Sequence, residues 1–515
     1  MSLSGSLSMI QDESKARLLA AVIFGSTLLL GTGPGYCMDA PEDVEKVNLA
    51  RRFAIEMAIR KNIDLKVETR YTAMAETDAA RSRGIYDPIL NVSSTGGISY
   101  VPGDPFFLTK NMNSSIGLTQ YLPIGGSVAV STQTGFTTAE TEFIGSSSTD
   151  WQSSVGISLS QPLLKNSGKE TMELGINLSA NSLQDSLERF RSVHIDTVFA
   201  VISAYNHLYS LRKTLESRVA ASNSAQSFLD EISKRAKPGP LQRMEIANAE
   251  YAIVQRRRDL VEAERSVRDQ ESSLRYLIGM DFKSEIIPID APVRIEPQET
   301  YDQALKAALE FRPDLKQLRT ALKNSELQER VARHQSLPDL SLTGSGGFSG
   351  TGSNFSGSFR KLGDQPSRFW SAGMFFNAPL GNTAAENDYR RSKIRTEQVK
   401  DQIKALVWRI QNEIEADLRA LISARLQIQM ADKSQQFATQ RLEEYRKNNR
   451  LGTSTVQDVL NAENDLTSAR NAHLDATESF AFYVARLWKD MGVLLDREGV
   501  QIDTLHSGKI TANGN

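Results

Sequence analysis

The chain has 515 residues, with 60 lysines and arginines against 62 aspartates and glutamates, a balance that gives no electrostatic case for a nucleic-acid partner. Its single cysteine, Cys37, excludes a disulfide framework and any cysteine-built metal cluster. The histidines, His194, His207, His334, His473 and His506, lack metal-ligand spacing, so neither a metal nor another cofactor is expected.

Near the start, Lys15 and Arg17 precede LLAAVIFGSTLLL (18–30) and then GTGPG. This apolar run is too short to span a bilayer as a helix and fits the core of a secretory signal. Residues 1–38 are therefore read as a signal peptide with its cleavage site open, although Asp12 and Glu13 make the basic leader untidy. Tyr36 is bulkier than the residue a lipoprotein signal places before its lipidated cysteine, so Cys37 reads as a lone cysteine near the cleavage site. No later stretch has the roughly 18 consecutive apolar residues of a membrane helix.

Two repeats follow. Ala58, Asp64, Leu65, Pro88 and Leu90 recur as Ala308, Asp314, Leu315, Pro338 and Leu340, all displaced by 250. SQPLLKNSG (160–168) answers NAPLGN (377–382), and Gly239, Ala249, Glu250 and Gly279 recur as Gly452, Ala462, Glu463 and Gly492, displaced by 213. Such ordered self-similarity marks a tandem duplication. The first repeat covers 39–279, with a β segment at 89–161, a long helix at 170–236 and a second helix at 240–279. A linker spans 280–302. The second repeat covers 303–495, with a β segment at 340–377, a long helix at 384–448 and a further helix at 454–492. A flexible tail is expected from 496 to 515.

The long helices carry apolar residues on one face, for example Leu183, Leu187, Phe190, Val198, Val201 and Tyr205, then Ile403, Leu406, Ile410 and Ile414. At 1.5 Å per residue each would run about 100 Å, too long to fold back on itself, which favours packing as a coiled coil. The β segments alternate instead. In SVGISLSQ (154–161), Val155, Ile157 and Leu159 share one face and serines the other. Such strands suit a membrane β-barrel, and equally a soluble β-sandwich.

One hairpin per repeat gives four strands per chain, and the turn PIGG (123–126) leaves room for six. Neither number closes a barrel alone, because the smallest need about eight strands; three copies would supply about twelve or about eighteen.

The duplicated plan, SQPLLKNSG at the strand-to-helix junction and RLGTSTVQDVLNAEND (450–465) at the helical turn together resemble the TolC-like outer-membrane efflux proteins. The resemblance covers about residues 42–495. It implies an α+β membrane protein: tandem long α-helical hairpins form a trimeric α-barrel, and β-hairpins complete a shared transmembrane β-barrel. It also implies a homotrimer in outer-membrane lipid, reaching into the periplasm and docking onto a periplasmic adaptor and an inner-membrane pump. An equatorial region would include the linker 280–302.

Within that resemblance, RLGTSTVQDVL is the hairpin tip at the periplasmic mouth. Gly452 suits the left-handed position that ends a helix. Ser454 with Gln457 reads as a capping box for the next. In the first repeat, Gly239 ends one helix and Pro240 suits the first turn of its successor. The resemblance makes Gly239, Leu241, Leu451, Gly452 and Ser454 adaptor-docking candidates, while turn-making alone also accounts for Gly452 and Ser454. It places Asp458 in an acidic ring narrowing the entrance, with Asn461 where some relatives carry a second aspartate. Three copies of Asp458 at close quarters would raise at least one pKa and attract cations. The plainer alternative is an ordinary exposed carboxylate.

No catalytic residue is assigned. The chain holds no phosphate-binding loop, no H-E-x-x-H and no G-x-S-x-G. GSGGFSGTGS (344–353) lies in a β-like stretch with no expected helix after it, unlike a dinucleotide site. Extracellular loops are expected near 101–111, 137–150 and 350–367. The remaining alternative is a periplasmic coiled-coil scaffold or adhesin without a pore.

Overall fold

The computed structural model describes residues 46–102, 107–141, 148–235, 240–281 and 284–500; the signal segment and Cys37 lie outside them. In chain order the elements are β1 (Lys46–Leu49), α1 (Arg51–Lys61), α2 (Ile63–Ser82) and, after a 3-10 turn, the strands β2 (Ile89–Val101), β3 (Phe107–Tyr121), β4 (Ser127–Thr141) and β5 (Ser148–Pro162). The short α3 (Lys169–Met172), the long α4 (Leu174–Arg235), α5 (Pro240–Ile278) and β6 (Glu285–Pro288) complete the first half. The second half holds α6 (Tyr301–Phe311), α7 (Pro313–Gln335), β7 (Asp339–Gly352), α8 (Phe355–Asp364), β8 (Ser367–Asn377), α9 (Thr383–Arg450), α10 (Val456–Asp490) and α11 (Leu494–Arg497).

The two sequence offsets meet in space. Helices α1 and α6 each have 11 residues and end at Asn62 and Arg312, both in extended backbone. Asn62 Nδ2 donates to the Leu277 carbonyl at 2.9 Å, and Arg312 Nη1 donates to the Asp490 carbonyl at 3.3 Å. These are equivalent positions, so in both halves the end of the returning helix is capped by the residue that follows the short first helix. Gly279 (φ +63°) and Gly492 (φ +75°) then end their helices in left-handed turns against Lys61 and Phe311. A Cβ on Gly492 would stand 2.9 Å from the Phe311 carbonyl carbon, so the close approach needs glycine there.

The main core lies where these ends meet. Ile202, Tyr205 and Leu208 of α4, Ile410 and Ile414 of α9, and Phe480, Val484 and Leu487 of α10 are buried together with Leu49, Leu274 and Ile278. Strands β1 and β6 form a parallel pair beside it. Tyr205 is fully buried; its hydroxyl donates to the Leu49 carbonyl at 2.8 Å and accepts from Asp290 N at 3.0 Å, and burial pushes its pKa up to about 12. The chain past 495 is not yet a free tail: Leu494 and Leu495 are buried and Glu498 pairs with Arg51 at 3.2 Å. The apolar pair anchors α11, so the ordered core extends to Val500.

Strands β2-β3-β4-β5-β7-β8 form one antiparallel sheet of six, which answers the open strand count. PIGG makes the turn between β3 and β4, where Gly125 (φ +93°) sits too close to the Asn166 carbonyl for any Cβ. One face carries an apolar band across all six strands. Leu90 and Val92 sit beside Leu118 and Ile116, then Val130, then Ile157, and finally Leu342 beside Met374. All of these side chains are exposed, as is Trp370 at 83%. The other face carries hydroxyl pairs such as Ser93–Ser115 and Ser345–Ser371. Strand pairing reaches into the stretches expected as loops, and 355–364 is helical, so the connections on that side are shorter than the sequence suggested.

Candidate functional site at the helical tip

The turn between α9 and α10 is built from its own residues. Gly452 (φ +77°) donates from N to the Asn449 carbonyl at 3.1 Å, and Thr453 N donates to the Asn448 carbonyl at 2.9 Å. This pair of bonds is a Schellman motif, which satisfies the last carbonyls of α9. Nothing lies within 4 Å of where a Gly452 Cβ would be, and Leu451 is 70% exposed.

The capping box is displaced by one residue from the sequence expectation. Thr455, not Ser454, is the N-cap of α10, and Asp458, not Gln457, closes the box. Ser454 Oγ instead donates to the Tyr445 carbonyl at 3.1 Å, tying the turn back onto α9. Once Gly452 and Thr453 have closed the Schellman turn, Thr455 is the first residue whose hydroxyl meets the amide of Asp458, at 3.2 Å.

Asp458 therefore has a local occupation. Its Oδ2 accepts from Thr455 Oγ1 at 2.6 Å and from Thr455 N at 2.9 Å. Those bonds hold its carboxyl below the ordinary aspartate value, whereas crowding in a ring of carboxylates would raise it. Asn461 is exposed, and its Oδ1 accepts from Gln457 Nε2 at 3.0 Å. Three residues apart on α10, Asp458 and Asn461 share one helical face. Leu451, Gly452, Ser454, Asp458 and Asn461 are thus gathered at one tip. Leu241 lies in the first turn of α5, and Gly239 lies outside the described residues.

One turn above sits a charge cluster not singled out as a site from the sequence. Glu463 is buried, with Oε2 accepting from Arg256 Nη1 at 2.7 Å and Oε1 from Arg446 Nη2 at 2.7 Å and Ser224 Oγ at 3.0 Å. Burial opposes its ionised form, but the Arg446 and Arg256 guanidiniums outweigh that and lower its pKa. The cluster ties together α4, α5, α9 and α10 and borders a cavity of about 180 Å³ that also touches Phe228 and Glu231. The available signal was the Glu250/Glu463 repeat pair, which marks register without revealing burial.

Among the described residues no group of three histidine, cysteine or acidic side chains is arranged to hold a metal ion, and no helix is long and apolar enough to cross a membrane. Comparison with known proteins decides the class. The family model described as outer membrane efflux protein matches residues 107–280 and 304–493, one block in each repeat. The chain belongs to the outer membrane efflux protein family.

The match fits the duplicated plan and lends no support to the poreless scaffold. Outer membrane efflux protein BepC of Brucella suis is 25% identical over 68% of this chain and 74% of its own length. Protein CyaE of Bordetella pertussis is 26% identical over 57% of this chain and 61% of its own length. Among solved structures, the outer-membrane channel OprN superposes with a TM-score of 0.65 at 13% identity, covering 86% of this chain and 89% of its own. VceC of Vibrio cholerae gives 0.63 at 16% identity, covering 86% and 96%. The protein is thus an outer-membrane efflux channel.

Proposed function

We propose that this efflux protein works as a homotrimeric, passive export duct whose three sheets close one transmembrane β-barrel and whose helices continue it as an α-barrel in the periplasm. The observation that carries this reading is the sheet, with one apolar face, one polar face and two free edges, β2 and β8. Unpaired backbone groups in lipid cost several kcal/mol each, so such edges must be joined. The ladder alternates throughout, so β8 runs antiparallel to β2. Pairing β8 of one copy with β2 of the next continues the same antiparallel pattern, and three copies give about eighteen strands.

In this duct Asp458 and Asn461 face the entrance, and the helical tips, with Gly239, Leu241, Leu451, Gly452 and Ser454 as the docking residues, meet a periplasmic adaptor that links the duct to an inner-membrane pump. The exposed Leu451 beside an open glycine turn suits a docking contact. The test is oligomeric mass and planar-bilayer conductance of one detergent-purified preparation. A trimer with discrete, cation-selective steps supports the duct; a monomer with no conductance overturns it.

A further inference from the structure

Helix α8 has no counterpart among the described residues of the first repeat, and it lies on the apolar face of the sheet rather than beyond its edge. The strands are cut to receive it. A Cβ on Gly350 would stand 2.3 Å from the Ser358 carbonyl oxygen, and one on Gly352 would stand 2.7 Å from Ser358 N. Both glycines belong to the β7 positions that share a face with Leu342 and Phe348. Beneath the helix, hydroxyls form a closed chain: Thr134 to Ser153 at 3.0 Å, Ser153 to Ser358 at 2.8 Å, and Ser358 to the Phe355 carbonyl at 2.9 Å. Ser153 and Ser358 are completely buried. The N-terminus is closed by Asn354, whose Oδ1 accepts from Gly357 N at 2.7 Å. Satisfied polar groups of this kind are what a helix needs at the margin of a hydrocarbon layer.

The helix is also two-sided. Phe355 packs on Phe359 with ring centroids 4.9 Å apart and meets Trp151 edge-on at 5.6 Å, and Trp151 in turn meets Phe136 at 5.0 Å. Phe355 and Phe359 nonetheless remain 49% and 41% exposed. Arg360, Lys361 and Asp364 are exposed, and Arg368, on the apolar face of β8, adds a third cation. These residues sit at the end of the sheet opposite the long helices, where an aromatic girdle marks the membrane boundary of a barrel.

We infer that α8 is an interfacial membrane helix, seated at the outer rim of the barrel, whose Phe355–Phe359 flank enters the outer leaflet while Arg360 and Lys361 bind its anionic, phosphate-bearing head groups. The occupant is a lipid surface for two reasons: the apolar flank is continuous with the lipid-facing side of the sheet, and the cations complement anionic head groups. The inference rests on the barrel reading above.

The test is hydrogen exchange of the full-length protein in phosphatidylglycerol vesicles, in phosphatidylcholine vesicles and in detergent, with wild type and an Arg360→Glu/Lys361→Glu variant. Exchange over 355–364 is expected to be about tenfold slower in phosphatidylglycerol than in phosphatidylcholine. The variant is expected to abolish that difference while β4 and β5 stay protected in both lipids. Equal exchange of 355–364 in all three media, with β4 and β5 protected, overturns the head-group role and leaves the barrel standing. Slow exchange that is equal in both lipids overturns the anionic preference. Loss of protection in β4 and β5 in vesicles defeats the barrel reading and this inference with it.

Discussion

Arg256 Nη1 lies 2.7 Å from Glu463 Oε2, and the two side chains are 9% and 6% exposed. A pair this deep contributes little against an apolar replacement, but removing one member strands the other. Glu463→Gln should therefore cost about 3–5 kcal/mol, because it leaves Arg256 buried without a counter-charge. The exposed pair Arg441–Asp465, at 2.8 Å on the same hairpin, serves as the control. Arg441→Ala should cost about 0–1 kcal/mol. Thermal unfolding in detergent reads both, and equal losses would refute the anchoring role of Glu463.

Gly452 and Gly492 have nearly the same backbone angle but different surroundings. Each would impose a left-handed penalty of about 1–2 kcal/mol on alanine. At Gly452 the space is open, whereas at Gly492 the Phe311 carbonyl carbon and Arg312 N stand 2.9 and 3.0 Å from the new Cβ. Gly492→Ala should therefore lose about 1–3 kcal/mol more than Gly452→Ala. Equal melting temperatures for the two variants would mean that the Phe311 contact yields without strain.

Asp417 on α9 is 1% exposed, with its Oδ1 3.0 Å from Arg486 Nε and its Oδ2 without a hydrogen-bond partner. Burial pushes its carboxyl up to about 7, and the neighbouring Asp490 adds to this against the pull of Arg486. An acid whose folded pKa exceeds its unfolded value destabilises the folded state as pH rises through that interval. Stability should thus decline from about pH 4 to about pH 7 through this group. Asp417→Asn should flatten that slope, as read from melting temperatures across the range. An unchanged slope would mean that Asp417 is not the responsible group.

Much of this architecture is legible in the chain because its signals are periodic. Val155, Ile157 and Leu159 alternate visibly since one face of the sheet is apolar, and the offsets of 250 and 213 mark equivalent ends such as Lys61 and Phe311. Helix α8 escapes notice because FSGSFRKLGD is rich in glycine and serine, poor in intrinsic helix formers; its stability comes from Gly350, Gly352 and Ser153 on distant strands. The capping box was shifted because Ser454 with Gln457 and Thr455 with Asp458 have the same spacing. Only the closed turn before them selects Thr455. Burial of Glu463 was invisible because it depends on four helices meeting.

The tip carries the last prediction, since Asp458 is both a capping residue and the proposed entrance charge. Asp458→Ala removes the carboxylate and the box together, whereas Thr455→Ala removes the hydroxyl half of the box and leaves the carboxylate. If the charge narrows the entrance electrostatically, only Asp458→Ala should weaken block by multivalent cations and raise single-channel conductance. Thr455→Ala should leave block in place while moving the Asp458 carboxyl part of the way toward its ordinary pKa, since it removes the bond from the Thr455 hydroxyl and keeps the one from the Thr455 backbone N. In wild type, the stability that these bonds give is present above the ordinary aspartate pKa and is lost as pH falls through the lower folded value. Planar-bilayer recordings with a divalent blocker on both variants separate the two roles. Equal block in wild type and Asp458→Ala would assign Asp458 to capping alone, and a parallel loss in both variants would make the tip's shape, not its charge, the determinant of conductance.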